Sequence, residues 1–211
     1  MTTRVYCLTL KDSERHFFQG AVLNTLDVEH EFVFGREFTD EDVAAIIKNP
    51  DDRCWKMSCF SNQRDYMKHA LSCASGHLDC INAFLAGGAD LGIVIEDDCM
   101  LPTDIGAKAE LVASTLKGPH VWHLATEAIN RYMGSKAPLE RTPRLHKGRW
   151  RSAAAYMFDR KGAEALAKRL EGIPAPADIA LFSGNLMVGV VYGTGVEMSA
   201  PFQRNSMIGR S

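Results

Sequence analysis

Apolar and polar residues alternate between two periods along this chain, and the switches between them mark its elements. Residues 4–10 form a short apolar run that reads as a strand. Ser13 then caps a predicted helix to about residue 26, with Asp12 and Glu14 near its positive end. Residues 30–34 alternate polar and apolar, as a half-buried strand does. Thr39 with Asp42 has the form of a capping pair opening a helix to about residue 48, and Pro50-Asp51-Asp52 breaks the chain.

The strongest helical pattern follows. Met67, Ala70, Leu71, Ala74, Leu78, Ile81 and Leu85 recur at three- and four-residue steps, which places them on one face. Gly87-Gly88 stops that helix, and residues 91–95 make a continuous apolar run suited to a strand buried on both sides. A helix over 105–116 and strands at 121–125 and 153–158 come next. Asp159 caps a helix to about residue 170, residues 172–176 form a Pro-rich loop, and 188–192 is a last strand. Helices interleaved with strands predict an α/β fold with a mainly parallel sheet covered on both faces, built as one domain over residues 1–211.

The run at 91–95 ends abruptly in Glu96-Asp97-Asp98. Three carboxylates at one strand end repel one another and are costly to desolvate. Such a triplet either solvates a turn or holds a divalent cation, and the buried run before it favours the cation. Carboxylates meeting a cation that also carries phosphate oxygens favour Mn²⁺ or Mg²⁺. Ligands of open α/β sheets bind at the carboxyl ends of strands, which is where these acids fall. Asp98, furthest past the strand end, is the first choice for metal contact. Strand alternation would put Glu96 on the same side if extension continues, making it the second metal ligand. Glu96 and Asp97 are also placed to contact a ribose or a metal-bound water.

Composition and charge add three points. Hydrophobic residues make up 46% and charged residues 24% of the 211, as in an ordinary globular protein. No apolar stretch is long enough to cross a membrane and no secretory signal opens the chain, so a cytoplasmic location is expected. The six cysteines, at 7, 54, 59, 73, 80 and 99, form no C-x-x-C pair and read as free thiols. A zinc site on Cys54 and Cys59 would lack a matching second pair. Residues 131–151 carry +6, leaving −8 on the remainder. This segment reads as a long basic loop, in which Arg141, Arg144, Lys147, Arg149 and Arg151 are candidate contacts to an anionic acceptor; the alternative is solvated surface.

Four blocks together resemble a known family. They are Val5-Tyr6-Cys7-Leu8-Thr9-Leu10 followed by Lys11-Asp12-Ser13-Glu14-Arg15; Leu71-Ser72-Cys73-Ala74-Ser75-Gly76-His77; Ile93-Val94-Ile95-Glu96-Asp97-Asp98; and Ala154-Ala155-Tyr156-Met157-Phe158 with Gly162-Ala163 and Asp178. In this order they resemble glycosyltransferase family 25, which includes lipooligosaccharide and collagen galactosyltransferases. Ser72 stands where that family has glycine, and Gly76 separates Ser75 from His77.

The resemblance implies a GT-A-type nucleotide-binding domain. It also implies sugar transfer, with inversion, from a nucleotide-sugar donor (a UDP-sugar foremost) to a hydroxyl of a glycan or glycolipid. The acid block would serve as the metal-binding motif, and Asp178 matches the family's late aspartate. As a base, Asp178 would take the acceptor's proton; its alternative role is to cap a helix beginning at Ile179. His77 is a donor-binding candidate by its place in the family block. Arg15 is either a phosphate contact or a surface charge, and Tyr6 and Thr9 either meet the nucleotide base or pack in the core. His123 is a weaker candidate at the pocket edge. Two other readings stay open: transfer to a hydroxymethylated base of DNA, and a silent module that binds nucleotide.

Overall fold

The computed structural model describes residues 1–49, 55, 62–115, 118–125, 144–146, 152–182 and 188–198. Along the chain run β1 (Thr3–Thr9), α1 (Glu14–Leu23), β2 (Glu29–Phe34), α2 (Asp40–Ile46), α3 (Gln63–Ala86), β3 (Leu91–Glu96), β4 (Cys99–Met100), α4 (Ile105–Thr115) and β5 (Val121–His123). They are followed by β6 (Arg144–His146), β7 (Ala155–Asp159), α5 (Arg160–Leu170), α6 (Ala177–Phe182), β8 (Val188–Tyr192) and β9 (Glu197–Met198).

Seven strands form one sheet in the order β2-β1-β3-β7-β5-β8-β6, and β4 pairs with β9 in a small second sheet. In the large sheet β2, β1, β3, β5 and β8 share one direction, while β7 and β6 run against it. The protein is thus α/β with a mainly parallel sheet. Residues 155–159 depart from the pattern: they form an antiparallel strand inserted between β3 and β5, a direction that strand composition does not encode.

Alternation along the central strands sends side chains to two cores. Val5, Cys7, Ile93, Ile95 and Met157 face α1 and α4, where they meet Leu23, Ile105 and Val112. Tyr6, Leu8, Val94, Tyr156 and Phe158 face α3, α5 and α6, where they meet Ile81, Phe84, Leu166 and Leu181. The layers are therefore helix, sheet, helix. A third cluster, with Val43, Trp55, Tyr66 and Leu71, seats α2 against α3.

Local chemistry sets the helix ends. Ser13 accepts the His16 amide, Thr39 and Asp42 form a reciprocal capping box, and Asp159 accepts the Gly162 amide. Asn62 caps α3 through the Arg64 amide. That helix ends at Gly87, whose N–H reaches the carbonyls of Ala83 and Phe84 at a φ of −88°, so no left-handed residue is used. Two glycines permit close approach. A Cβ at Gly76 would lie 2.3 Å from Leu8 Cδ1, and one at Gly162 would lie 1.9 Å from the His120 carbonyl oxygen. The first lets α3 settle onto β1; the second lets α5 start against the segment leading into β5.

No helix among the described residues is long and apolar enough to cross a membrane. Cys7, Cys73, Cys80 and Cys99 are free thiols. Cys54 and Cys59 lie outside the described residues, as do Arg141, Lys147, Arg149 and Arg151. Arg144 is on β6, whose backbone pairs antiparallel with β8, so the expected basic loop contains a short strand at the sheet edge.

Candidate functional site

The carboxyl ends of β1 and β3 lie side by side, Leu8 opposite Glu96, and the acid block sits at this edge. Extension stops at Glu96. Asp97 and Asp98 turn, and β4 begins at Cys99. Continued extension, the condition on which alternation would carry Glu96 and Asp98 to one side, is therefore not met. The turn is held from α1: the buried Gln19 amide donates to the backbone oxygens of Asp97, at 3.0 Å, and Cys99, at 2.6 Å. Nothing in the local sequence marks Gln19, because its partners lie about eighty residues further on.

The three acids have three environments. Asp97 faces α1. Thr9 Oγ1 donates to its Oδ2 at 2.7 Å, and Arg15 donates to its Oδ1 at 3.0 Å. The structure thus brings Thr9, Arg15 and Asp97 together, with Thr9 and Arg15 bound to the acid itself. Glu96 faces α3. Its Oε1 lies 3.3 Å from His77 Nε2 and 3.5 Å from Cys73 Sγ, while His77 Nδ1 meets the Tyr156 hydroxyl at 3.0 Å. Burial pushes the Glu96 carboxyl up, but His77, Cys73 and Arg15 outweigh it and hold it below the ordinary carboxylate range. In the sequence, Cys73 and Tyr156 are marked only as parts of motif blocks. For Cys73 a signal is the four-residue spacing to His77, which puts both on one helix face; Tyr156, on β7, has none in the local sequence.

Asp98 has the least support. Its Oδ1 is buried with no hydrogen-bond partner. Burial, then the charges of Glu96 and Asp97, push its carboxyl up to about 7. A carboxylate with a buried, unpartnered oxygen beside two other acids fits a divalent cation, which would supply the missing partner and offset the repulsion. Glu96 fits the same cation less well, because its Oε1 is already engaged by His77 and Cys73.

Asp178 lies in the first turn of α6, which begins at Ala177. It is inside the helix, so its alternative role as a cap before Ile179 is corrected. Asp178 itself is exposed, while Leu181, one turn further on, is buried. The protein around it nevertheless raises its carboxyl to about 6, through loss of solvation first and the Glu96 charge second, against His77 and two backbone amides. Asp178, Glu96, His77 and Cys73 therefore share one electrostatic neighbourhood.

Two candidates stand apart from the acid block. Tyr6 is wholly buried and packs edge-on against Phe84, with its hydroxyl near Gly87 at the opposite end of the strands. Its place is core packing, the other of the two readings open for it. His123 is wholly buried with Nε2 3.0 Å from the Ser152 carbonyl oxygen, and burial drives it down to about 3. It is a neutral core histidine.

No family model matches the chain, and no curated protein matches it. Among solved structures, A197 from STIV is similar at 13% identity over 92% of this chain and 83% of that one, with a TM-score of 0.48. The galactosyltransferase LgtC, in complex with donor and acceptor sugar analogs, is similar at 10% identity over 88% of this chain and 72% of that one, with a TM-score of 0.38. The apo form of mouse xyloside xylosyltransferase 1 is similar at 12% identity over 84% of this chain and 67% of that one, with a TM-score of 0.34.

Proposed function

We propose that the protein is a metal-dependent inverting glycosyltransferase of GT-A type, moving a sugar from a nucleotide-sugar donor, a UDP-sugar foremost, to a hydroxyl of a glycan or glycolipid. The observation that carries this reading is Asp98: a buried, unpartnered carboxylate oxygen, on a group raised to about 7, at the carboxyl end of β3 beside Glu96 and Asp97. The resemblance of the motif blocks to glycosyltransferase family 25 supports it.

Asp98 would hold Mn²⁺ or Mg²⁺, with Glu96 as the second acid. The cation would supply electrostatic stabilisation of the diphosphate leaving group. Arg15 and Thr9 orient Asp97, which keeps the turn in place under the donor. Asp178 accepts the proton of the acceptor hydroxyl as that oxygen attacks the anomeric carbon. The bond from that carbon to the phosphate oxygen breaks, and its electron pair leaves with the nucleoside diphosphate. A carboxyl raised to about 6 and reachable from solvent is suited to that role, because it is ionised near neutral pH yet more basic than an ordinary aspartate. Arg141, Arg144, Lys147, Arg149 and Arg151 would attract an anionic acceptor.

The test is calorimetry of UDP-sugars with Mn²⁺ and with chelator, followed by donor hydrolysis. Expected is tighter binding with Mn²⁺ and its loss in Asp98→Asn. Equal donor affinity with Mn²⁺ and with chelator would remove the metal from the reading, and no binding of any nucleotide sugar would end it.

A further inference from the structure

The α3 side of Glu96 carries a cluster of which the proposed sugar-transfer chemistry uses only Glu96, leaving Cys73 and His77 without a role in it. Cys73 Sγ, a His77 ring nitrogen and a Glu96 carboxylate oxygen all lie within 4.8 Å of one another. Cys73 and His77 are one turn apart on α3, and Glu96 approaches them from the end of β3. We infer that these three side chains form a site for a thiophilic divalent cation of the Zn²⁺ class, with a fourth position open to water or a substrate oxygen.

Two of the three spacings match that ion, and the third, sulfur to nitrogen, lies within 4.8 Å. A tetrahedral zinc about 2.3 Å from sulfur, about 2.05 Å from nitrogen and about 2.0 Å from oxygen sets N···O at about 3.3 Å and S···O at about 3.5 Å. The His77–Glu96 and Cys73–Glu96 distances are 3.3 Å and 3.5 Å. Metal-bound histidines commonly have their other ring nitrogen held by a hydrogen-bond partner that fixes tautomer and orientation. Here His77 Nδ1 is held by the Tyr156 hydroxyl at 3.0 Å, which leaves Nε2 turned toward Glu96 and Cys73. Tyr156 is itself fixed, with Phe182 packed edge-on against its ring.

Burial and charge agree with an open site. His77 is wholly buried, the Glu96 side chain is 26% exposed and Cys73 is half-buried, so solvent reaches the cluster from the Glu96 and Cys73 side. Binding converts the Cys73 thiol to thiolate, and the proton leaves to solvent. One thiolate and one carboxylate then balance the two positive charges. A sulfur ligand selects zinc over manganese or magnesium, which separates this site from Asp98, whose donors are all oxygen. The cluster stands on side-chain geometry and holds whether or not the protein transfers a sugar. Three protein ligands with one open position is the pattern of a site that polarises a bound oxygen, and Asp178 lies within its electrostatic reach.

The competing account is a hydrogen-bonded triad alone, with the Cys73 thiol and the His77 Nε2–H both donating to Glu96. Titration of the whole protein with Co²⁺, followed by absorption and by displacement with Zn²⁺, separates the two. Expected are one equivalent of tetrahedral Co²⁺ with a sulfur-to-cobalt charge-transfer band, displaced by Zn²⁺ and not by a comparable concentration of Mn²⁺. Cys73→Ser should abolish the band, and Tyr156→Phe should weaken Zn²⁺ affinity by roughly 10- to 100-fold. Asp98→Asn should retain the full signal, so that failure of the sugar-transfer reading and failure of this site give different results. Absence of the band in the parent protein, or its persistence in Cys73→Ser, overturns the site and leaves the hydrogen-bonded triad.

Discussion

Replacing Asp98 by Asn should make the protein more stable in alkaline solution and change it little in acid. The Asp98 carboxyl sits at about 7 in the fold against an ordinary 3.8, driven by burial and by the charges of Glu96 and Asp97. Between those values the folded state binds more protons than the unfolded one. Its stabilising contribution is therefore complete below the unfolded value and is lost as pH rises through about 7. At about 1.4 kcal/mol per pH unit, ionising this group in place costs up to about 4 kcal/mol. Asn keeps the shape and cannot ionise, so the difference between variant and parent should grow by that amount from about pH 4 to about pH 8. Asp178 shifts in the same sense, but it is present in both proteins and cancels. For a domain of this size the gain corresponds to a Tm higher by roughly 8–16 °C at the alkaline end. Thermal unfolding in metal-free buffer across that range reads it directly. A Tm difference that does not change with pH, or an Asn variant that is less stable at the alkaline end, would refute the claim that Asp98 is held at a cost.

Asp178→Asn should lower turnover by roughly 10²-fold or more with donor affinity unchanged; in the parent, kcat/KM should rise with pH and level off above about 6 as Asp178 loses its proton. Steady-state kinetics over pH check both, and near-parent turnover would reduce Asp178 to a helix residue. Asp97→Ala should cost about 3 kcal/mol in urea unfolding, because it removes acceptors for Arg15 and Thr9 at a largely buried position; a loss under about 0.5 kcal/mol would deny it the role of joining α1 to β3. Gly162→Ala should destabilise by about 3 kcal/mol or more, since the new Cβ would fall on the His120 backbone oxygen rather than on a side chain that can swing away. Calorimetric unfolding at parent Tm would show that this approach relaxes freely.

What local chemistry decides could be read along the chain. Ser13, the Thr39–Asp42 pair and Asp159 cap helices where expected, because their partners are three residues away. The apolar stripe on α3 and the run in β3 were legible for the same reason. The direction of β7 was not, because either orientation of an apolar strand buries the same side chains. Gln19 was invisible, because an amide becomes a tie only when the fold brings two carbonyls to it. The acid block was visible as three equal carboxylates. Packing makes them unequal: α1 takes Asp97, α3 takes Glu96, and Asp98 is left with an oxygen unsatisfied. Thr9 and Arg15 could be placed near the block but not bonded to it, since that contact needs β1 and β3 in register.

The position of β7 bears on how the chain is made. On the ribosome β2, β1 and β3 emerge as a contiguous parallel group, but the free side of β3 is covered only by β7. Until residues 155–159 have been synthesised, the Leu91–Ile95 strand presents unpaired backbone groups along an apolar edge, the kind of surface that recruits other chains. Stalled or proteolysed products ending before residue 155 should therefore collect in the insoluble fraction. Dividing the gene for expression in two pieces would succeed only where β3 and β7 stay together.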